Sequence, residues 1–413
     1  MKNVLQRFLK YVTFETTSTS KSTTFPSTPG QRVFAEYLVE EMKAIGLQNV
    51  RIDENCYVYG TVPSNMEKKV PTLAFVAHLD TSPAASGKNV TPRLIENYDG
   101  SDVLLNAERN MVMRVAQYPE LSWYVGQTLI VTDGNTLLGA DDKAGIAEIL
   151  SMAEYLIQNP EVPHGEVEVV FMPDEEISRS TKKFDVSQLH ADFGYTVDGG
   201  FLGKIQYENF NGASAVVKVH GVKCHTGSAK NKLINSQTVA MEYHRMLPAA
   251  KVPEHTTGYE GFFFLDHMEG TLAETTMTYL IREHDDAKFA RMKEQMQMIA
   301  DHINKMYGRE LVEVTITDSY YNMRRKVEPY MHLIEAAKQS MIDVGVEPSV
   351  LPIRGCTDGV TLSFMGLPCP NLPTGAHNLH SEYEFITVQS LEKMSDALVS
   401  IVGQYAKGEI ACD

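Results

Sequence analysis

The chain has 413 residues and a formal net charge of -16. That length exceeds what one compact core usually holds, so two domains are expected. An acidic chain without a basic run argues against a nucleic-acid partner. No apolar stretch is long enough to span a bilayer. Cys56, Cys224, Cys356, Cys369 and Cys412 are scattered and odd in number, which fits neither a disulfide framework nor a zinc finger and points to a reducing cytoplasm.

At the N-terminus, Val4, Leu5, Phe8, Leu9 and Val12 fall on one face of an amphipathic helix. Arg7 and Lys10 interrupt any signal-peptide core. The Ser/Thr cluster at 16–28 reads as a loop stiffened by Pro26 and Pro29. Residues 71–77 (PTLAFVA), 166–172 (EVEVVFM) and 193–198 (FGYTVD) read as buried strands, each ending abruptly in polar residues. Between the first two, residues 143–157 carry apolar side chains at helical spacing. Strands alternating with helices predict an α/β sheet, whose ligands bind beyond the carboxyl ends of its strands.

The pattern changes near residue 209. A strand at 213–219, a helix at 233–247, strands near 259–265 and at 275–281, a long helix at 287–307 and a strand at 311–317 predict a smaller α+β unit of ferredoxin-like order. A helix near 329–344 and a strand near 349–353 then resume the first pattern. The expected organisation is one discontinuous domain of residues 1–208 and 320–413, with 209–319 inserted.

Polar clusters sit at the predicted strand ends and helix starts: His78-Leu-Asp80, Gly139-Ala-Asp141-Asp142-Lys143, Asp174-Glu175-Glu176, Asp198-Gly-Gly200 and His380-Ser-Glu-Tyr-Glu384. Each has an ordinary reading by itself: a solvated loop histidine, a helix N-cap, an acidic helix start, a turn aspartate, a core histidine. Together they could supply nitrogen and oxygen donors around two metal ions, a shared carboxylate and a separate base. In His78-x-Asp80, the carboxylate could fix the tautomer of a ligating imidazole.

These segments resemble the M20 metallopeptidase family. The similarity runs almost end to end through HLDTSP, SGKNV, GQTLI, TLLGADDKAGIAEI, PDEE, YTVDGG, GYEGF, DSYYNMR, IRGCTDG and SFMGLPCPNL. It implies a zinc-peptidase catalytic domain, with a mixed sheet flanked by helices, and an inserted ferredoxin-like lid. It also implies two zinc ions per subunit. His78, Asp198 and a bridging Asp141 would hold one; Glu176, His380 and the same Asp141 the other. Asp80 would orient His78, Glu175 would be the general base, and the Asp141–Asp142 peptide would be cis.

Asp198 rather than glutamate as terminal carboxylate resembles the aminopeptidase branch. The implied reaction releases the N-terminal residue of short peptides, tripeptides in particular. His225, in GVKCHTG, resembles an oxyanion-stabilising lid histidine, although Thr226 replaces the commoner proline. Arg282 and Arg354 resemble arginines that grip a peptide carboxylate, and Cys356 stands where the family usually has glycine. The resemblance leaves room for a homodimer through the lid. Competing readings are an M20 dipeptidase or amidohydrolase, and a non-catalytic binding protein on the same fold.

Overall fold

The computed structural model describes residues 3–408 and 410 of the chain; Cys412 lies outside them. The chain divides into two compact units. The first comprises Met1–Tyr207, Arg325–Val350 and Thr357–Asp413, and the second Glu208–Arg324 and Leu351–Cys356. The second thus takes in the short segment Leu351–Cys356, which the organisation expected from sequence assigns to the first. Arg354 moves with it.

The first unit is built on a six-stranded mixed sheet in the order Gln48–Ile52, Val58–Val62, Val167–Met172, Leu73–His78, Phe193–Gly199, Asn371–Pro373. The first two pairings are antiparallel and the remaining three parallel. Leu73–His78 and Val167–Met172 are buried at every position, as strands covered on both faces must be. The register pairs His78 with Met172. The residues that follow these strands therefore emerge at one edge of the sheet.

The helix Ala140–Gln158 packs on Leu73–His78 and on the C-terminal helix Val388–Lys407. It is apolar on nearly all sides, and most of it is buried, the expected fate of a helix with no polar face. Asp141 and Asp142 depart from helical backbone angles, so the regular helix starts after them, consistent with a periodic pattern readable only from residue 143. Gly145 is required by close approach. A Cβ there would lie 2.1 Å from the Val197 carbonyl oxygen and 2.5 Å from Asp142 Oδ1.

Residues 88–135, which carry no strong periodicity, form small elements unforeseen in the sequence. Arg93–Ile95, Leu129–Val131 and Phe385–Thr387 make a three-stranded sheet, and Val103–Asn106 pairs with Met111–Met113. Short strands of three or four residues fall below the length at which alternation can be recognised. The predicted strand near 349–353 is only Ser349–Val350, paired in parallel with Lys204–Ile205.

The second unit is a four-stranded antiparallel sheet in the order Phe262–Gly270, Glu274–Glu283, Asn211–His220, Val312–Tyr320. With helices Ser236–Met246 and Asp286–Tyr307, it gives the β-α-β-β-α-β order of a ferredoxin-like fold. Burial alternates along Glu274–Glu283, and Ala215, Val217, Met277, Tyr279 and Ile281 meet Met296, Ala300 and Ile303 in the core. Asp285 caps the long helix by accepting from the Lys288 amide, and Gly308 ends it at φ 68°. Among the described residues no helix is long and apolar enough to cross a membrane.

Candidate active site

Three of the predicted residues sit at the carboxyl ends of parallel neighbours in the main sheet. His78 ends Leu73–His78, Glu176 follows Val167–Met172, and Asp198 lies near the end of Phe193–Gly199. Asp141 enters from the start of helix Ala140–Gln158, and its peptide bond to Asp142 is cis. His380 arrives from the turn before Phe385–Thr387, at φ 62°. The ligand-competent atoms form two groups, His78–Asp141–Asp198 and Asp141–Glu176–His380, each within 4.8 Å. Asp141 is the member of both. Its Oδ1 lies 2.9 Å from His78 Nε2, and its Oδ2 lies 3.0 Å from His380 Nε2.

Hydrogen bonding decides what these groups can hold. His78 Nδ1 lies 3.0 Å from the backbone carbonyl of Asp80. A carbonyl only accepts, so Nδ1 carries a hydrogen, and in the neutral ring Nε2 presents a lone pair. That lone pair faces two carboxylate oxygens, Asp141 Oδ1 at 2.9 Å and Asp198 Oδ1 at 3.5 Å. In the neutral ring three acceptors would converge on one point, which a proton on Nε2 or a bound cation relieves. His380 Nε2 is likewise 3.0 Å from both Asp141 Oδ2 and Glu176 Oε1.

No lysine or arginine among the described residues pairs with Asp141, Glu176 or Asp198. Protonation therefore has to supply the missing positive charge. For His78, burial lowers the pKa but is outweighed by Asp198 and Asp141, leaving it well above the ordinary value. Hydrogen bonds to Asp141 and Glu176 raise His380 to about 11. Burial raises Asp198 to about 7, and burial also raises Glu176. Asp141 goes the other way. Burial opposes its ionisation, but the two imidazoles hold its pKa below the usual carboxylate range. A site that must hold extra protons to stay balanced is one that divalent cations would neutralise. Donors at tetrahedral positions around bonds of ~2.1 Å stand about 3.4 Å apart, so the observed spacings fit a metal in each group.

Asp80 does more than the sequence suggested. Its carboxylate accepts from the backbone amides of Glu175 at 2.9 Å and Glu176 at 3.1 Å. The contact from its Oδ1 to His78 Nδ1 is longer, 3.4 Å, than that from its carbonyl. Asp80 therefore orients the Glu175–Glu176 turn with its side chain and His78 chiefly with its backbone. The Glu175 carboxylate belongs to neither ligand group and accepts no hydrogen bond among the described residues. Burial first, then the charge of Asp198, raises its pKa well above the ordinary value.

Three members of the polar clusters were given no role by sequence reasoning. Buried Asp142 accepts from the His78 amide at 3.0 Å. Buried Glu384 accepts from the amides of Leu138, Gly139 and Asp141 at 2.7, 2.8 and 3.1 Å, clamping the turn that carries Asp141; burial raises it to about 7. Buried Asp174 accepts from Ser27 and Gln31, tying the 16–28 loop to the Glu175 turn. Asp142 and Asp174 adjoin predicted residues and Glu384 lies four positions after His380, and that proximity was the available signal.

His225, Arg282 and Arg354 all lie in the second unit. His225 is exposed, and its Nδ1 accepts from the Gly227 amide at 3.1 Å. Arg282 donates to the carbonyls of Ala213 and Ile281 and lies over the Tyr320 ring, 5.2 Å from its centroid. Arg354 is more heavily committed. It donates to the carbonyls of Gly258 and Glu260 and to Thr256 Oγ1, and it lies 5.1 Å and 5.6 Å from the ring centroids of Phe210 and Phe262. Those contacts tie the 256–260 turn to Leu351–Cys356. Arg354→Ala should therefore cost about 1–3 kcal/mol of stability. Lysine should restore only part, because an ammonium cannot span three acceptors as a planar fork does. Thermal melts of the three proteins check this; an alanine variant that melts like the wild type would rule it out.

Comparison with known proteins shows the family. Residues 128–404 match the family described as Peptidase family M20/M25/M40. A relative named Peptidase T, from Alkaliphilus oremlandii, is 52% identical over 409 residues, covering 98% of this chain and 100% of its own. The chain belongs to this family and is a peptidase. Two solved structures under 25% identity share the fold. The aminopeptidase PepT from Bacillus cereus has a TM-score of 0.78 at 21% identity, with 98% of each chain covered. A tripeptidase from Staphylococcus aureus has a TM-score of 0.76 at 21% identity, also with 98% of each chain covered.

Proposed function

We propose that this chain is a two-metal aminopeptidase that releases the N-terminal residue from tripeptides, working in the cytoplasm with zinc as its ion. The observation that carries the two-metal reading is Asp141, which offers one oxygen to each ligand group. His78 and Asp198 would complete one group, Glu176 and His380 the other. Bound dications would polarise the scissile carbonyl and lower the pKa of water between them. Glu175 would take the proton from the attacking water and return it to the leaving amine, a role suited to a carboxylate whose proton affinity is raised and whose oxygens are uncommitted. Asp80 would hold Glu175 and Glu176 in place through their amides.

The tripeptide preference rests on the names of the relatives, Peptidase T and a tripeptidase. A length preference needs a cation at a fixed distance from the metals to grip the carboxylate. Of the two arginines expected there, Arg282 keeps more of its donors for a ligand than Arg354 does. His225 would add a polar contact to the developing oxyanion.

The test uses protein loaded with zinc and freed of excess ion. Elemental analysis should find two ions per chain. Free tripeptides should be cleaved faster than dipeptides or tetrapeptides, and N-blocked tripeptides not at all. Chelation should abolish turnover and zinc restore it. Cleavage of N-acylated amino acids with tripeptides untouched would replace this reading with an amidohydrolase.

A further inference from the structure

The two loops that carry Asp198 and His380 run side by side. The amides of Thr374 and Gly375 donate to the carbonyls of Gly199 and Gly200 at 3.1 and 2.8 Å, and Thr374 Oγ1 donates to the Gly199 carbonyl at 2.8 Å. An aromatic cluster stands on this junction. Phe201 follows Asp198 by three residues, and His377 precedes His380 by three. Three residues of extended chain reach at most about 11 Å, so the Cα of each lies within that distance of a ligand residue's Cα. Their ring planes are nearly parallel, at 18°, with centroids 6.2 Å apart.

His377 is fixed from behind. It stacks on Phe385 at 4.8 Å and 8°, and its Nε2 lies 2.6 Å from the Tyr124 hydroxyl. Trp123, beside Tyr124, meets Phe201 edge-on at 5.8 Å and His377 at 5.9 Å. The indole is nevertheless 59% exposed, while its neighbour Tyr124 is buried. A large aromatic surface is thus held rigidly, next to the ligand loops, with one face open to solvent. An exposed ring backed by a fixed aromatic cluster offers apolar surface that a ligand's side chain could cover.

We propose that Trp123 and Phe201, backed by His377, form the wall that receives the side chain of the peptide's first residue, and that this wall makes the enzyme favour large apolar N-terminal residues. The inference rests on the aminopeptidase reading above. The carbonyl held between the two groups belongs to the first residue. Its Cβ is two bonds from that carbonyl carbon, whereas the Cβ of the second residue is three bonds away. The first side chain is therefore the one nearest the ligand groups, and the one a wall built on the ligand loops would receive. Leucine or phenylalanine would cover the exposed ring surface, and alanine would leave most of it wet.

The experiment compares Leu-Gly-Gly, Phe-Gly-Gly and Ala-Gly-Gly on the zinc-loaded full chain, for wild type, Phe201→Ala and Trp123→Ala. For wild type, kcat/KM should favour the leucine and phenylalanine peptides over the alanine peptide by about tenfold or more, given ~0.8 kcal/mol per buried methylene. Each variant should cut that ratio to within about threefold, mainly through KM. Loss of folding alone would lower all three rates together and leave the ratio intact. The exposed position of Trp123 keeps its variant informative if Phe201→Ala is unstable. Trp123 is also the sole tryptophan, so its fluorescence in the wild type should shift on adding free leucine and not alanine. Hydrolysis with an unchanged ratio in both variants would overturn the wall alone. No hydrolysis of any free peptide would overturn the aminopeptidase reading, and the wall with it.

Discussion

Asp141→Ala is expected to leave the protein with no tightly held ion and to lower kcat/KM by about 10⁴-fold, the equivalent of losing several kcal/mol of transition-state charge stabilisation. Asp141 is the one residue in both ligand groups. Removing it takes an anionic donor from each and leaves His78 and His380 facing a gap rather than a shared carboxylate. Asp198→Ala and His380→Ala should be milder, because each touches a single group; one ion per chain should survive in either. The check is elemental analysis after gel filtration, alongside kcat/KM at saturating zinc. If Asp141→Ala keeps two ions and the single-group variants lose both, the bridging role lies elsewhere.

Glu175→Gln should have the second-largest effect, with the opposite signature. Ion content should stay at the wild-type level while kcat falls by at least about a hundredfold, the usual scale for losing a general base. Glutamine keeps the size and polarity of the side chain but cannot take a proton. The geometry separates Glu175 from its neighbour sharply. Glu176 Oε1 lies 3.0 Å from His380 Nε2 inside a ligand group, whereas the Glu175 carboxylate lies outside both groups and has no hydrogen-bond partner among the described residues. Glu176→Gln should accordingly lose an ion before it loses chemistry. Parallel measurement of zinc content and kcat distinguishes them, and exchanged behaviours would reverse the assignment.

The residues at the mouth of the sheet were legible because a strand's end is a local event. A buried apolar run such as VEVVFM must stop where the chain leaves the core, and the acids that follow it stand at the sheet edge whatever the rest of the fold does. The same reasoning reached His78 and Asp198. The α/β class and the inserted ferredoxin-like unit were readable for a related reason. Periods of 2 and 3.6 in apolar residues reflect which face of each element is buried. Segments without that periodicity, such as 88–135, stayed unreadable until their three-residue strands found partners.

What sequence alone determined was thus the order of the elements and the residue types that stand at the mouth of the sheet. Only the tertiary structure could decide which side chains share one space. Asp141 meets His78 across 63 positions and His380 across 239, and no local rule connects such distances. Glu384 clamps the turn before Asp141, the Asp80 side chain serves the Glu175–Glu176 amides, and Arg354 spends its donors on the 256–260 turn. Each of these is a choice among partners for a polar group. A buried donor or acceptor must be satisfied, but which neighbour satisfies it depends on the packing of elements far apart in the chain.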